Sequence, residues 1–144
     1  MNDKAQVKRV FNASIDDVFD AFVNPEKMDV WHHPDGFTSK NKVFGEKNYE
    51  VEMSNNSINQ VGIISGEYLE FNRPNRLVFT WSWDWQKGMN PTKVEIDFKR
   101  LDSNITEVNL LHSGFADSQS ASQHEAGWGM SFTNLEKMLE GGEK

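Results

Sequence analysis

Histidine is the residue type in this sequence best suited to proton transfer or metal binding, because cysteine is absent and four histidines occur. An imidazole titrates near neutral pH and can also ligate a metal ion. His32 and His33 are adjacent, so their side chains should diverge, whereas a zinc or iron site needs about three ligands that converge at bonding distance. No histidine or acidic motif has ligand spacing. We therefore predict no metal site and interpret the histidines as hydrogen-bonding groups near a pocket rim.

His112 is the best candidate for a general acid or base. It follows Val108 and Leu110 at every second position of its predicted strand, so its side chain should point inwards like theirs. In an apolar site its imidazole can take up or release a proton near neutral pH. The carboxylates Glu67, Asp84 and Glu125 form no recognisable motif, and the sequence has no GxSxG nucleophile elbow. We therefore assign no catalytic residue and no cofactor, and an enzyme acting on an apolar substrate remains an alternative.

Aromatic residues make up 12% of the sequence and supply the largest set of candidate contacts. One interpretation is a filled core, since a buried aromatic side chain removes roughly 150–250 Å² from water. The other is an apolar pocket, favoured by Gly127 and Gly129, which flank Trp128 and leave little side chain on that part of its helix. The predicted ligand contacts are Trp31, Phe37, Phe79, Trp81, Trp83, His112, His124, Trp128 and Phe132.

Composition disfavours several classes of function. The chain has 144 residues and a formal net charge of −7, which disfavours nucleic acid and anionic membrane surfaces because both attract clustered lysine and arginine. Without cysteine there can be no disulfide, thiolate metal site or cysteine nucleophile. No window is apolar enough to span a membrane, and the first residues lack the pattern of a signal peptide. We expect a cytoplasmic protein formed by one domain over residues 1–144.

The first third of the sequence predicts a strand followed by two short helices. Val7 to Asn12 alternates as a strand does. Ser14 has the residue type of an N-cap, acidic residues follow it in the first turn, and helical spacing continues towards Asn24. Pro25 disfavours helix in the residue before it and suits the first position of a second helix. His33 to Glu46 contains proline and glycine punctuation and is predicted to be a loop.

Six further strands follow at short spacings, which favour antiparallel hairpins. In Leu77 to Trp83 the odd-numbered positions are all apolar, and in Lys93 to Arg100 apolar and charged residues alternate. One face of the sheet should therefore be buried. Gly62 and Gly66 are expected to mark bulges or bends in a curved sheet. The predicted strands are Tyr49 to Met53, Ile58 to Ser65, Glu67 to Phe71, Leu77 to Trp83, Lys93 to Arg100 and Thr106 to Ser113.

The C-terminal part of the sequence predicts one long amphipathic helix from Ser118 to Leu139. Its apolar stripe recurs at steps of three and four residues. At about 1.5 Å per residue such a helix is about 30 Å long, enough to cross a sheet, and Gly141-Gly142 is expected to end it. Together the elements predict an α+β fold in which a curved antiparallel sheet of about six or seven strands wraps around this helix.

Five segments resemble one branch of the START-like (SRPBCC) superfamily, the Hsp90 ATPase activator homologue 1-like (AHSA1-like) family. They follow the family's order along nearly the whole chain: FNASIDDVFDAFVNPEKMDVW (Phe11 to Trp31), PDGF (Pro34 to Phe37), GEYLEFNRPNRLVFTWSW (Gly66 to Trp83), TEVNLLHSGF (Thr106 to Phe115) and HEAGWGMSFTNLEKML (His124 to Leu139). The chain departs from the pattern at Trp31-His32-His33, where family members often carry two tryptophans and a glycine, and this places titratable groups beside the expected cavity. The resemblance implies the helix-grip fold, with a cavity between the sheet and the long helix.

The resemblance does not imply one chemistry, because related START-like proteins include lipid carriers, polyketide cyclases, hydrolases and co-chaperones. The first hypothesis is the binding of a small hydrophobic ligand, lipid-like or aromatic, with His112 and His124 fixing its orientation. The second is contact with an Hsp90-type chaperone. It is less favoured, because the eukaryotic activators make much of that contact through an additional N-terminal domain and this chain begins directly with the first strand. A cyclase or hydrolase acting on an apolar substrate is the third.

Overall fold

The computed structural model describes residues 4–55, 57–84 and 90–140. Within these residues the elements in chain order are β1 (Ala5–Phe11), α1 (Ile15–Val23), α2 (Pro25–Trp31), β2 (Thr38–Phe44), β3 (Asn48–Asn55), β4 (Gln60–Asn72), β5 (Arg76–Trp83), β6 (Thr92–Asp102), β7 (Ile105–Ser113) and α3 (Ser118–Glu140). The predicted helix end at Gly141-Gly142 lies outside the described residues.

The strands form one seven-stranded antiparallel sheet in the order β1-β7-β6-β5-β4-β3-β2. Each strand from β2 to β7 pairs with its neighbour in sequence, as short antiparallel connections allow. β1 pairs instead with the last strand, so that Ala5 lies opposite His112 and Phe11 lies opposite Thr106. Since α1 and α2 join the two edge strands, and α3 contacts β1, β7 and α2, the helices lie together on one side of the sheet.

The two short helices begin and end where their residue types predict. Ser14 Oγ accepts a hydrogen bond from the backbone N–H of Asp17 at 3.2 Å and caps α1. Asn24 follows the end of α1 and caps α2, where its Oδ1 accepts a hydrogen bond from the backbone N–H of Glu26 at 3.1 Å. Pro25 occupies the first turn of α2, where the helix does not need its backbone donor. The predicted pair of short helices is confirmed.

The predicted loop between α2 and β3 contains the edge strand β2, and this prediction was wrong. The strand has one buried residue, Asn41. Asn41 Nδ2 donates hydrogen bonds to Asp29 Oδ1 at 2.9 Å and to Ser39 Oγ at 3.0 Å. A polar side chain therefore occupies the inward position, where the alternation that signals a strand would require an apolar one.

The predicted strands Ile58 to Ser65 and Glu67 to Phe71 form the single strand β4, whose register shifts between Tyr68 and Glu70. Gly66 does not interrupt it. A Cβ at Gly66 would overlap the carbonyl oxygen of Thr80 on β5. Glycine at this position therefore allows a close approach of two backbones rather than ending the strand.

The buried face of the sheet follows the predicted alternation. On β6 the side chains of Val94, Ile96 and Phe98 are buried, while the charged residues between them face outwards. On α3 the buried residues include Trp128, Ser131, Phe132 and Leu135, which face the sheet. One main core thus lies between the sheet and the helices. Among the described residues, no helix is both long and apolar enough to cross a membrane.

Candidate functional site

A cavity of about 630 Å³ lies between the sheet and the first part of α3. Its wall is formed by the segment after α2, by β3, β5 and the start of β6, and by the segment between β7 and α3 together with α3 itself. Residues far apart in the sequence thus meet around one space. The large apolar side chains in this wall are Phe37, Met53, Trp81, Trp83, Phe115 and Trp128.

The structure brings five of the nine predicted ligand contacts into the cavity wall: Phe37, Trp81, Trp83, His124 and Trp128. The other four lie in the surrounding core, outside the lining: Trp31, Phe79, His112 and Phe132. Trp31 is 1% exposed, and its indole Nε1 donates a hydrogen bond to the carbonyl of Ala21 at 2.8 Å. The ring of Phe132 packs edge-on against Trp128, with ring centroids 6.2 Å apart. His112 and Phe132 contact Trp128 and so support the wall from behind, whereas the ring of Phe79 packs against Tyr49 and Tyr68.

A chain of hydrogen bonds fixes the role of each polar atom of His112. Trp128 Nε1 can only donate, and it donates to His112 Nδ1 at 3.1 Å. In a neutral ring Nε2 then carries the proton, which it donates to Thr92 Oγ1 at 2.7 Å. The Thr92 hydroxyl donates in turn to the carbonyl of Trp81 at 3.0 Å. Burial, with a smaller effect from the neighbouring His124, lowers the pKa of His112 to about 2, so the ring is neutral at pH 7.

His124 is fixed in the other tautomer. Its Nδ1 donates a hydrogen bond to the carbonyl of Ser120 at 2.9 Å, and its Nε2 accepts one from Trp83 Nε1 at 3.2 Å. Burial lowers the pKa of His124. The rings of His124 and His112 lie edge to face, with centroids 5.2 Å apart. Protein groups therefore occupy both nitrogen atoms of each of these two rings.

His32 lines the cavity but is not among the contacts that the sequence analysis predicts. It is 5% exposed and stacks on Trp128, with ring centroids 5.2 Å apart. Burial lowers the pKa of His32 to about 4, against the opposite effect of its hydrogen bond with Asn41. The adjacent His33 points elsewhere and bonds backbone carbonyl groups. The departure from the family pattern at Trp31-His32-His33 is the signal that could have identified His32.

Two glycines shape the cavity. A Cβ at Gly62 on β4 would lie 2.8 Å from Cζ3 of Trp83, so the indole ring rests directly on this glycine. Gly127 on α3 belongs to the wall, and a Cβ there would meet nothing within 4 Å. Gly127 is therefore not needed for close packing, and the missing side chain leaves this part of the cavity open.

The described cavity wall contains one charged side chain, Asp117. Its Oδ1 accepts a hydrogen bond from the backbone N–H of Ser120 at 2.7 Å, and hydrogen bonds with Ser120 lower the pKa of Asp117. Within the residues that the structure describes, no group of three or more histidine or acidic residues is placed to hold a metal ion. The described wall thus combines large aromatic side chains with uncharged polar ones and contains a single charged side chain.

A seven-stranded antiparallel sheet, two short helices after its first strand and a long C-terminal helix beside a cavity define the helix-grip fold of START-like proteins. Solved structures share it. A protein from Chromobacterium violaceum is 23% identical with a TM-score of 0.88, and the match covers 97% of this chain and 99% of that one. The AHSA1 protein from Silicibacter pomeroyi is 20% identical with a TM-score of 0.83 over 94% of this chain and 96% of that one. CalU16 from Micromonospora echinospora is 19% identical with a TM-score of 0.70, and the match covers 95% of this chain and 76% of that one.

Sequence comparison identifies the family within this class. The family model described as Activator of Hsp90 ATPase homolog 1-like protein matches residues 12–140. The chain belongs to that family, which confirms the resemblance carried by the five segments from Phe11 to Leu139. No curated protein matches the chain significantly.

Proposed function

We propose that this protein binds a small hydrophobic ligand, lipid-like or aromatic, in the cavity between the sheet and α3. The observation that carries the proposal is the cavity volume of about 630 Å³. Sites for small molecules typically have volumes of about 300–1,000 Å³. A filled core would leave few voids larger than a water molecule, so the pocket interpretation of the aromatic residues is favoured.

The chemistry of the wall supports an apolar guest. Trp81 and Trp128 lie side by side with ring centroids 5.2 Å apart, and Trp83 packs edge-on against Trp81 at 6.4 Å. Such surface attracts apolar ligands, because each buried Å² of apolar area is worth about 25 cal/mol. Ligand pockets of this kind add a small number of polar groups that fix orientation.

Binding is favoured over acid–base catalysis at His112. A general base must come within about 2.6–3.2 Å of the proton that it removes, directly or through one water. His112 lies outside the cavity lining, and Thr92 and Trp128 occupy both of its ring nitrogens. Its pKa of about 2 also makes it a poor proton acceptor at pH 7. Its geometry instead suits it to holding Trp128 and, through Thr92, the backbone of β5.

Two leucine variants test the proposal. Gly127→Leu places a side chain in the open cavity, and Gly129→Leu makes the same change in the same helix outside the cavity lining. A fluorescent fatty acid or a flavonoid should shift or quench the tryptophan emission of the wild type, because three tryptophans line the cavity. The ligand should also raise the Tm. Gly127→Leu should weaken this binding by about tenfold or more, since losing contacts worth about 1.4 kcal/mol suffices. Gly129→Leu should bind like the wild type.

Thermal unfolding of both leucine variants controls for folding, because each removes a glycine from α3 and should stabilise the helix by about 0.5–1 kcal/mol. If no apolar ligand changes the tryptophan emission or the Tm of the wild type, the proposal is contradicted. Equal binding by both leucine variants would also contradict it.

Membership of the activator family favours a second candidate function, contact with an Hsp90-type chaperone. A pull-down against such a chaperone, together with its ATPase rate in the presence of this protein, tests it. Retention of the protein and a faster ATPase are expected under this candidate, and neither is expected under ligand binding alone. Gly127→Leu then separates the two: loss of ligand binding together with unchanged chaperone binding would show that the chaperone contact does not depend on the cavity.

A further inference from the structure

Ser131 lines the cavity, and its hydroxyl forms no hydrogen bond with the part of the chain that the structure describes. The residue is 3% exposed. Buried polar side chains are usually hydrogen-bonded, because leaving them unpaired is costly. This hydroxyl is an exception, and it belongs to the proposed ligand site.

The Ser131 hydroxyl does not use the partner that a helix offers. A serine or threonine inside a helix can donate to the backbone carbonyl four positions earlier. Thr133 does so, since its Oγ1 donates to the carbonyl of Gly129 at 3.1 Å. Ser131 lies in the same helix, yet its Oγ makes no such bond to the carbonyl of Gly127. The proton of this hydroxyl is therefore available to a ligand.

The oxygen atom of Ser131 is accessible from the cavity. Among the described residues, two side-chain atoms that lack a partner are closed off from solvent, His32 Nε2 and Trp81 Nε1. Ser131 Oγ also lacks a partner but is not closed off in this way, so part of its surface is open. Because Ser131 is otherwise buried and lines the cavity, this open surface faces the cavity. A ligand inside the cavity can reach it.

The position of Ser131 along α3 places it at the inner end of the cavity. From Gln123 onwards the lining residues of α3 become less exposed: Gln123 is exposed, Gly127 is half-buried and Ser131 is buried. Ser131 follows Gln123 by eight positions, which corresponds to about 12 Å along the helix axis. An elongated ligand that enters beside Gln123 can extend about that far before its leading end meets Ser131.

The charge of the wall narrows the choice of group that Ser131 can bind. Asp117 is the one acidic side chain in the described lining, and the lining contains no described lysine or arginine. Burial lowers the pKa of the two lining histidines, so they add no positive charge at pH 7. A carboxylate at the inner end would lose its hydration without gaining a counter-charge. A carbonyl or hydroxyl oxygen is uncharged and can accept the proton of the Ser131 hydroxyl.

We propose that the ligand is uncharged and elongated, and that a carbonyl or hydroxyl oxygen at its leading end accepts a hydrogen bond from Ser131 Oγ. This inference rests on the proposed ligand-binding function and adds a specificity-determining residue and an orientation for the ligand. The indole rings of the wall hold the apolar body, while Ser131 binds the polar end inside. His112 and His124 do not provide this contact, because protein groups occupy all their ring nitrogens.

Three naphthalene derivatives of nearly identical shape test the inference. 2-Acetylnaphthalene carries a carbonyl oxygen, 2-isopropenylnaphthalene carries a methylene group in its place, and 2-naphthoate is an anion. Calorimetry at pH 7 gives the ratio of the affinities for the ketone and the alkene, in which changes that act on the shared apolar body cancel. In Ser131→Ala this ratio should fall about fivefold from its wild-type value, the net effect of one hydrogen bond. 2-Naphthoate should bind the wild type most weakly.

Ser122→Ala is the matched control. Ser122 lies on the same helix, exposed and outside the described lining, so its removal should leave the affinity ratio unchanged. Ser131→Ala loses no hydrogen bond within the described residues and gains helix propensity. Its Tm should therefore equal or exceed that of the wild type. A lower Tm would show that the protein itself uses the Ser131 hydroxyl, and would overturn the inference.

The possible outcomes separate this inference from the proposed function. An unchanged ratio in Ser131→Ala, or tightest binding of 2-naphthoate by the wild type, would overturn the inference and leave an apolar binding cavity in place. An equal fall of the ratio in Ser122→Ala would overturn it as well. If neither the ketone nor the alkene binds to the wild type, the proposed function fails and the inference fails with it.

Discussion

At the residue scale, Thr92 links two layers of the cavity wall. Its hydroxyl accepts a hydrogen bond from His112 Nε2 at 2.7 Å and donates one to the carbonyl of Trp81 at 3.0 Å. Thr92 is 8% exposed, so water cannot readily replace either bond. Because buried polar groups need partners, this one hydroxyl allows a histidine to lie inside an aromatic core.

Thr92→Val keeps the shape of the side chain but removes the acceptor for His112 Nε2 and the donor for the Trp81 carbonyl. We expect the free energy of unfolding to fall by about 1–3 kcal/mol, the cost of leaving a buried polar group unpaired. Urea denaturation measures the change. Thr38→Val, the same substitution at an exposed position in β2, should stay within about 0.5 kcal/mol of the wild type. Equal effects of the two substitutions would show that the Thr92 bonds do not stabilise the fold.

At the scale of elements, two glycines set how closely β4 approaches β5, the strand that carries Trp81 and Trp83 in the cavity wall. Gly66 lies against the backbone of Thr80, and Gly62 lies against the ring of Trp83. Because a side chain at either position would collide with β5, these glycines contribute close contact rather than flexibility. The long strand β4 can therefore run past both points without a break.

Gly66→Ala and Gly129→Ala should have opposite effects on stability. A Cβ at Gly66 overlaps the Thr80 carbonyl and must push β4 away from β5, so we expect a loss of about 2 kcal/mol or more. A Cβ at Gly129 meets nothing within 4 Å, and alanine there should stabilise α3 by about 1 kcal/mol. Urea or thermal unfolding of the two variants checks the signs. Stabilisation by Gly66→Ala would be inconsistent with the close approach of the two strands.

At the scale of the whole molecule, three histidines are kept neutral by burial around one cavity. Burial lowers the pKa of His32 to about 4 and that of His112 to about 2, and it also lowers the pKa of His124. In the unfolded chain each returns towards the ordinary value of 6.5. The unfolded state therefore binds more protons than the folded state below that pH.

We expect the free energy of unfolding to be highest above about pH 6.5 and to fall as the pH is lowered, because the unfolded state takes up protons that the folded state excludes. Each histidine can contribute a slope of at most about 1.4 kcal/mol per pH unit. His32→Phe removes one of the three groups and should reduce the slope by up to that amount. Urea denaturation between about pH 5 and pH 7.5 measures it. An unchanged slope in His32→Phe would mean that His32 does not titrate on unfolding.

The sequence by itself determined the helices and the two faces of the sheet, because the interactions responsible are local. Ser14 and Asn24 cap their helices through bonds to residues two or three positions away. The alternation in β6 and the helical spacing in α3 predict the buried faces, since side-chain direction repeats with a fixed period in each element. The order of these elements, read with the five family segments, was enough to predict the helix-grip fold.

The tertiary structure alone decided which residues surround the cavity and which are buried behind it. Trp31 and Trp81 look equivalent as aromatic residues, yet the first packs into the core and the second lines the cavity. β2 was missed because Asn41 is satisfied by Asp29, twelve positions earlier in the sequence. Likewise, Ser131 lines the cavity only because α3 packs against the sheet. Such assignments depend on contacts between distant segments, and no local pattern in the sequence records them.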